Sequence, residues 1–148
     1  VRPADELAAE VLRRGAPLWI KARGASMLPF MWDGDVVLVA PTPWTAVGVG
    51  DVVCYETSPG RLVLHRVIER TDDRAVTKGD ALMATEAIEP AQLLGKVTAI
   101  ERHGRITRLD GRRARWRTRM IVSAGRLIPA LVAATFGLRR AVGAALRD

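Results

Sequence analysis

Leu18-Trp19-Ile20-Lys21-Ala22-Arg23-Gly24-Ala25-Ser26-Met27-Leu28-Pro29 opens the segment that decides the architecture, and Phe30-Met31-Trp32-Asp33-Gly34-Asp35-Val36-Val37-Leu38-Val39 completes it. Leu18, Ile20 and Ala22 alternate with Trp19, Lys21 and Arg23, the period of two expected of a half-buried strand. Val36–Ala40 is apolar throughout and reads as a second strand. Between the two, Gly24, Pro29 and Gly34 interrupt any regular pattern, so the chain bends there with Ser26 on the bend. By itself this is an ordinary turn feeding a strand. It is also a place where a substrate carbonyl can approach a hydroxyl and neighbouring backbone N–H groups together.

Outward from this segment the short period recurs. Residues 52–56 form a third strand after a turn at 48–51, and Ser58-Pro59-Gly60 turns the chain tightly into residues 62–68, which predicts a β-hairpin. Residues 75–77, 95–101 and 105–109 complete a set of short strands, the last two joined around His103-Gly104. Towards the start, residues 3–14 read as a short helix: Pro3 suits its first turn, Asp5 and Glu6 its positive end, Arg13 and Arg14 its negative end, and Gly15 stops it. Leu7, Val11 and Leu12 give that helix a narrow apolar stripe to pack on the body. The expected organisation is a helical segment over 1–16, a mainly β domain over 17–110 and a basic, amphipathic helical tail over 111–148.

Composition sets further bounds. At 148 residues, 49% hydrophobic and 26% charged, the chain suits one globular domain rather than a disordered polymer. Residues 1–101 hold eleven Lys/Arg against fourteen Asp/Glu, a net of −3, whereas 102–148 hold twelve against two, a net of +10. The excess of positive charge therefore belongs to the tail and points to an anionic partner for it. Cys54 is the single cysteine, which excludes an internal disulfide; within Val52-Val53-Cys54-Tyr55 it reads as a buried core thiol. No Cys/His cluster has metal-ligand spacing, and no cofactor is expected. The start, Val1-Arg2-Pro3-Ala4-Asp5-Glu6, is polar and acidic, without the apolar core of a signal peptide.

The chemistry lies in three stretches: Gly24-Ala25-Ser26-Met27-Leu28-Pro29, then Arg61-Leu62-Val63-Leu64-His65-Arg66-Val67-Ile68, then Thr77-Lys78-Gly79-Asp80. They supply a serine, a histidine and an aspartate. A nucleophile, a base titrating near neutrality and an acid to orient that base are the parts of acyl-transfer catalysis. Taken as G-x-S-M-x-P, G-D-V-V, H-R-V-I and T-K-G-D, the set resembles the type I signal peptidases, in the branch that uses histidine where the bacterial leader peptidases carry a lysine base. The resemblance covers residues 17–97. It implies a signal-peptidase-like, SOS-repressor-like complex β fold of short strands. It also implies Ser26 as nucleophile, His65 as base, and Asp80 or Glu86 as its acidic partner.

Asp80 matches the K-G-D box of that family and is placed ahead of Glu86, but Ala81-Leu82-Met83-Ala84-Thr85-Glu86 departs from the family's continuation, and Glu86 stands where a later acid would stand. Lys78 is an alternative base in principle, since some relatives use a lysine, but its place in the Lys-Gly-Asp box reads as a structural ion pair. Some relatives carry a hydroxyl two places before the nucleophile; here that place is Gly24. The oxyanion would then be held by the backbone N–H groups of Ser26 and Met27, each donor contributing roughly 3 kcal/mol. Met27, Pro29, Phe30 and Trp32 are expected to border the substrate groove, and a solvent-facing Trp32 would suit a lipid interface. The two Gly-Asp pairs, Gly34-Asp35 and Gly50-Asp51, read as turns whose carboxylates accept backbone N–H bonds.

Eight arginines fall between residues 102 and 119, ahead of an apolar segment over 120–146. Its longest uncharged stretch, residues 127–138, is twelve residues and contains Pro129, short of the roughly 20 a membrane span needs. Arg119, Arg126, Arg140 and Arg147 lie at multiples of seven, a cationic stripe on an apolar helix of the kind that lies in a membrane interface or packs on a protein surface. With only Trp116 among the arginines, nucleic acid is the weaker partner. The expectation is a serine endopeptidase acting on a leader or signal segment, peripheral to the cytoplasmic face of a membrane with anionic lipids rather than held by an N-terminal span. Two other classes fit the same residues: an inactive peptidase-like module that binds peptides, and a self-cleaving repressor-type regulator. The latter needs an Ala-Gly or Cys-Gly bond before the serine, which residues 1–25 lack. The oligomeric state has no signature in the sequence.

Overall fold

The computed structural model describes residues 3–58 and 60–109, together with Pro129. The chain runs α1 (Pro3–Arg13), β1 (Leu18–Lys21), β2 (Val36–Ala40), β3 (Val52–Ser58), β4 (Arg61–Arg70), β5 (Ala75–Lys78), β6 (Thr85–Ile88), β7 (Leu93–Arg102) and β8 (Arg105–Arg108). The fold is mainly β, as the period of two predicts. Seven strands follow the order β1-β2-β7-β3-β4-β5-β6, and β8 pairs with β7. Every pairing is antiparallel. The expected hairpin is β3 against β4, with Val53 opposite His65. β6 has no counterpart among the strands expected from sequence. The helical tail expected over 111–148, and with it the cationic stripe, lies outside the described residues save for Pro129. Among the described residues no helix is long and apolar enough to cross a membrane.

The sheet is buried on both sides of β3, which explains why its sequence is an unbroken apolar run rather than an alternation. Val52 and Cys54 join one cluster with Ala9 and Leu12 of α1, Met27, Met31, Val37, Val39 and Ile100. Val53 and Tyr55, pointing the other way, join Val47, Val67, Ala75 and Ile88. Cys54 is fully buried and its thiol is pushed up to about 12, chiefly by burial, so it is a core group rather than a nucleophile. α1 lays Ala8, Ala9 and Leu12 against the body and is tied to β3 by an Arg13–Glu56 ion pair.

Candidate active site

Stretches far apart in sequence converge on one groove of about 620 Å³, walled by β1, the Ser26 bend, the part of β4 that ends at His65, Leu82 and Glu86, with Ala4, Asp5 and Ala8 of α1 on one side. The Ser26 bend is held from beneath. Met27, Leu28 and Met31 are buried, each contributing about 1.5–3 kcal/mol, and the bend closes through Leu28 N–H to Ala25 O (3.2 Å) and Met31 N–H to Met27 O (2.9 Å). The Leu28–Pro29 peptide is cis. Gly24 sits at φ +84° and donates its N–H to Asp33 Oδ1 at 2.8 Å. A residue with a side chain adopts that left-handed conformation only at a cost of roughly 1–2 kcal/mol, which accounts for the glycine at this position.

Asp35 fixes the far end of the bend. Its Oδ2 accepts the Trp32 N–H at 2.8 Å, and Arg102 of β7 donates to both carboxylate oxygens at 2.8 and 2.6 Å while also reaching Phe30 O at 3.2 Å. The Arg102 hydrogen bond holds the Asp35 carboxyl below its usual range. Asp51 does the same for the second turn, accepting Gly48 N–H at 3.0 Å and Lys96 Nζ at 3.2 Å. Both Gly-Asp turns thus act as the sequence predicts, and each carries a cationic partner from β7 besides.

Gly79 sets the Ser26 bend against the turn that follows β5. Lys78 lies opposite Arg66 across β4 and β5, so the following turn passes beside His65. Ser26 O accepts the Ala81 N–H at 2.9 Å on that turn, and a Cβ on Gly79 would stand 2.6 Å from the same oxygen and 3.0 Å from Leu82 Cδ1. Glycine is the residue that lets the two backbones touch. Gly79→Ala is therefore expected to lower stability by about 1–3 kcal/mol through forced displacement of the Ser26 bend, read as a lower urea midpoint with an unchanged slope.

His65 and Arg66 are neighbours on β4 and face opposite ways. His65 is half-buried, and its Nδ1 lies 3.1 Å from the hydroxyl of Tyr55. That phenol also lies 3.0 Å from Thr77 Oγ1 and donates to Glu86 Oε2 at 2.7 Å. Burial lowers the His65 pKa from 6.5, partly opposed by the charges of Glu86 and Asp80, so the ring is neutral at pH 7. Among the described residues the Ser26 hydroxyl makes no hydrogen bond, and neither do the Ser26 and Met27 N–H groups. Serine–base contacts commonly tighten only when substrate arrives.

The carboxylates separate by role. Asp80, placed ahead of Glu86 as the partner of His65, is instead clamped by Arg66: Nε to Oδ1 at 2.8 Å and Nη2 to Oδ2 at 2.7 Å, both side chains almost fully buried. Arg66 also donates to Gly50 O at 2.9 Å and lies 4.5 Å over the ring of Phe30. It joins the Gly50 turn, the Gly79 turn and the Ser26 bend, as a bidentate guanidinium can and an ammonium cannot. The acidic group linked to His65 is Glu86, through Tyr55.

Of the four residues expected at the groove, Met27 and Trp32 line it. Phe30 turns away beneath Arg66, and the carbonyl of exposed Pro29 accepts the Trp32 indole N–H at 3.1 Å. Trp32 is 50% exposed and Trp19, also lining the groove, 42%. Tyr55 and Arg102 have no place in the sequence reading of the site, and Gly79 enters it only as part of the Lys-Gly-Asp box. The signal for Tyr55 was present, since the one tyrosine of the chain closes an otherwise apolar run. Among the described residues no group of His, Cys, Asp and Glu is placed to hold a metal ion. The chain matches no protein-family model and no curated protein.

Proposed function

We propose that the chain is a serine endopeptidase resembling type I signal peptidases, which cleaves a leader or signal segment with Ser26 as nucleophile and His65 as base. The observation that carries this reading is the convergence of the two residues on one groove, with the ring neutral and one of its nitrogens already engaged. Ser26 Oγ attacks the peptide carbonyl carbon as His65 Nε2 takes its proton, and the oxyanion is met by the N–H groups of Ser26 and Met27. The tetrahedral species collapses, the C–N bond breaks and the imidazolium returns the proton to the leaving amine. Water, deprotonated by the same ring, then hydrolyses the acyl ester and restores Ser26. β1 supplies a place for the substrate: among the described strands it pairs only with β2, so its other edge offers N–H and C=O groups to an extended peptide along the groove. Exposed Trp19 and Trp32 at the groove suit a membrane interface, and with the basic tail they support peripheral docking on anionic lipid.

The test is cleavage of synthetic leader peptides with small residues just before the scissile bond, compared with Ser26→Ala. The expected result is a single cut made by the wild-type chain and not by the variant. The base must be unprotonated, and its pKa is lowered in the fold, so kcat/KM is expected to rise with pH through a midpoint below 6.5 and then level off. One observation favours a second reading: among the described residues the Ser26 hydroxyl makes no hydrogen bond to His65, as in a groove that binds peptides without cutting them. Peptide binding that persists without cleavage would select that reading.

A further inference from the structure

We infer that Tyr55 is the positioning residue of the base, selecting the tautomer of His65 and linking it to the charge of Glu86. The functional half of this inference rests on the peptidase reading above; the tautomer does not. Four successive strands each contribute one side chain to the network: Tyr55 from β3, His65 from β4, Thr77 from β5 and Glu86 from β6, with Thr77 directly opposite Glu86 in the register. Strands about 4.8 Å apart place such residues within reach of a long phenol. Tyr55 is fully buried and meets His65 edge-on, ring centroids 6.2 Å apart at 63°. No smaller residue at this position would bridge β3 to β6.

The proton count fixes the direction of each bond. A phenol has one proton to give, and of its three neighbours the nearest is the carboxylate Oε2 of Glu86 at 2.7 Å, an acceptor that has none to return. The phenol oxygen must then accept from its other neighbours. Thr77 has one proton to place, with the Tyr55 oxygen at 3.0 Å and Glu86 O at 3.2 Å as its two acceptors. The 3.1 Å contact to His65 is a hydrogen bond only if Nδ1 carries the proton. A neutral ring protonated on Nδ1 has its lone pair on Nε2, the atom needed to take the serine proton. Free histidine prefers the opposite tautomer, so the protein selects the reactive one. In serine peptidases an aspartate usually does this directly; here a neutral hydroxyl stands between the ring and the acid.

Two-bond 1H–15N correlation spectra of the full chain labelled with 15N-histidine, recorded well above the histidine titration, test this directly. The chain has two histidines, so His103→Gln assigns both. The expected spectrum has His65 protonated on Nδ1. Tyr55→Phe, which keeps the ring and removes the hydroxyl, is expected to move His65 towards the Nε2-protonated form and to slow kcat by roughly 10–100-fold with KM little changed. Glu86→Gln shifts the tautomer in the same direction. Wild-type His65 protonated on Nε2 overturns the inference, and this requires neither the Tyr55 nor the Glu86 variant to fold. A Tyr55→Phe spectrum that keeps the Nδ1-protonated ring overturns it equally. The spectra need no turnover: an Nδ1-protonated ring in a chain that cleaves nothing leaves the relay standing and removes the peptidase reading, whereas an Nε2-protonated ring in an active chain does the reverse.

Discussion

Asp80→Ala is expected to lower folding stability by about 3–5 kcal/mol, because it leaves the Arg66 guanidinium buried without its counter-charge. The cost arises from the stranded cation and not from the pair's net worth. Arg66 is 2% exposed and Asp80 6%, so water cannot replace the lost carboxylate. The same substitution loosens three loops at once, since Arg66 also holds Gly50 O and covers Phe30. Urea unfolding followed by tryptophan fluorescence measures the loss. Glu86→Gln is the control: Glu86 is on the exposed edge strand, and its replacement is expected to change stability by less than about 1 kcal/mol. If Asp80 were instead the partner of the imidazole, Asp80→Asn would leave stability near wild type and remove activity alone.

The second large effect is on catalysis. If the chain is the peptidase proposed, His65→Ala and Ser26→Ala are each expected to reduce leader-peptide cleavage by about 10³-fold or more, with the double variant little worse than either single one, because a nucleophile and its base act as a unit. Single-turnover cleavage rates for the three variants measure this. Neither substitution should unfold the chain: both residues are half-buried at the groove, and among the described residues Ser26 makes no side-chain bond that its loss would strand. Additive losses would mean that the two groups do not cooperate. Arg102→Met supplies a useful contrast, since Arg102 anchors the bend through Asp35 and Phe30 O and touches neither reacting group.

Much of the architecture was legible because burial leaves a periodic trace. The alternation at Leu18, Ile20 and Ala22 gave β1, and the Ser58–Gly60 turn signal gave the β3–β4 hairpin. β6 left no such trace: Thr85-Glu86-Ala87-Ile88 buries only Ile88, and an edge strand with three exposed residues lacks the pattern that marks a strand. Losing β6 from view also hid the link to Glu86, which depends on Thr77 lying opposite it. The choice between Asp80 and Glu86 turned on which face of β4 each acid approaches. His65 and Arg66 are adjacent in sequence but face opposite sides, so an acid near one in the chain can belong to the other in space. Tyr55 was hidden for a related reason: in an apolar run a tyrosine reads as core, and core it is, with only its hydroxyl reaching the imidazole.

If His65 activates Ser26 as proposed, the serine can be trapped covalently. The purified chain is treated with a fluorophosphonate, which phosphonylates an activated serine with loss of fluoride, and intact mass is compared for wild type, Ser26→Ala and His65→Ala. One adduct is expected on the wild-type chain and none on either variant. An adduct that survives Ser26→Ala, or an unlabelled wild-type chain that also leaves leader peptides uncut, would contradict the proposed activation.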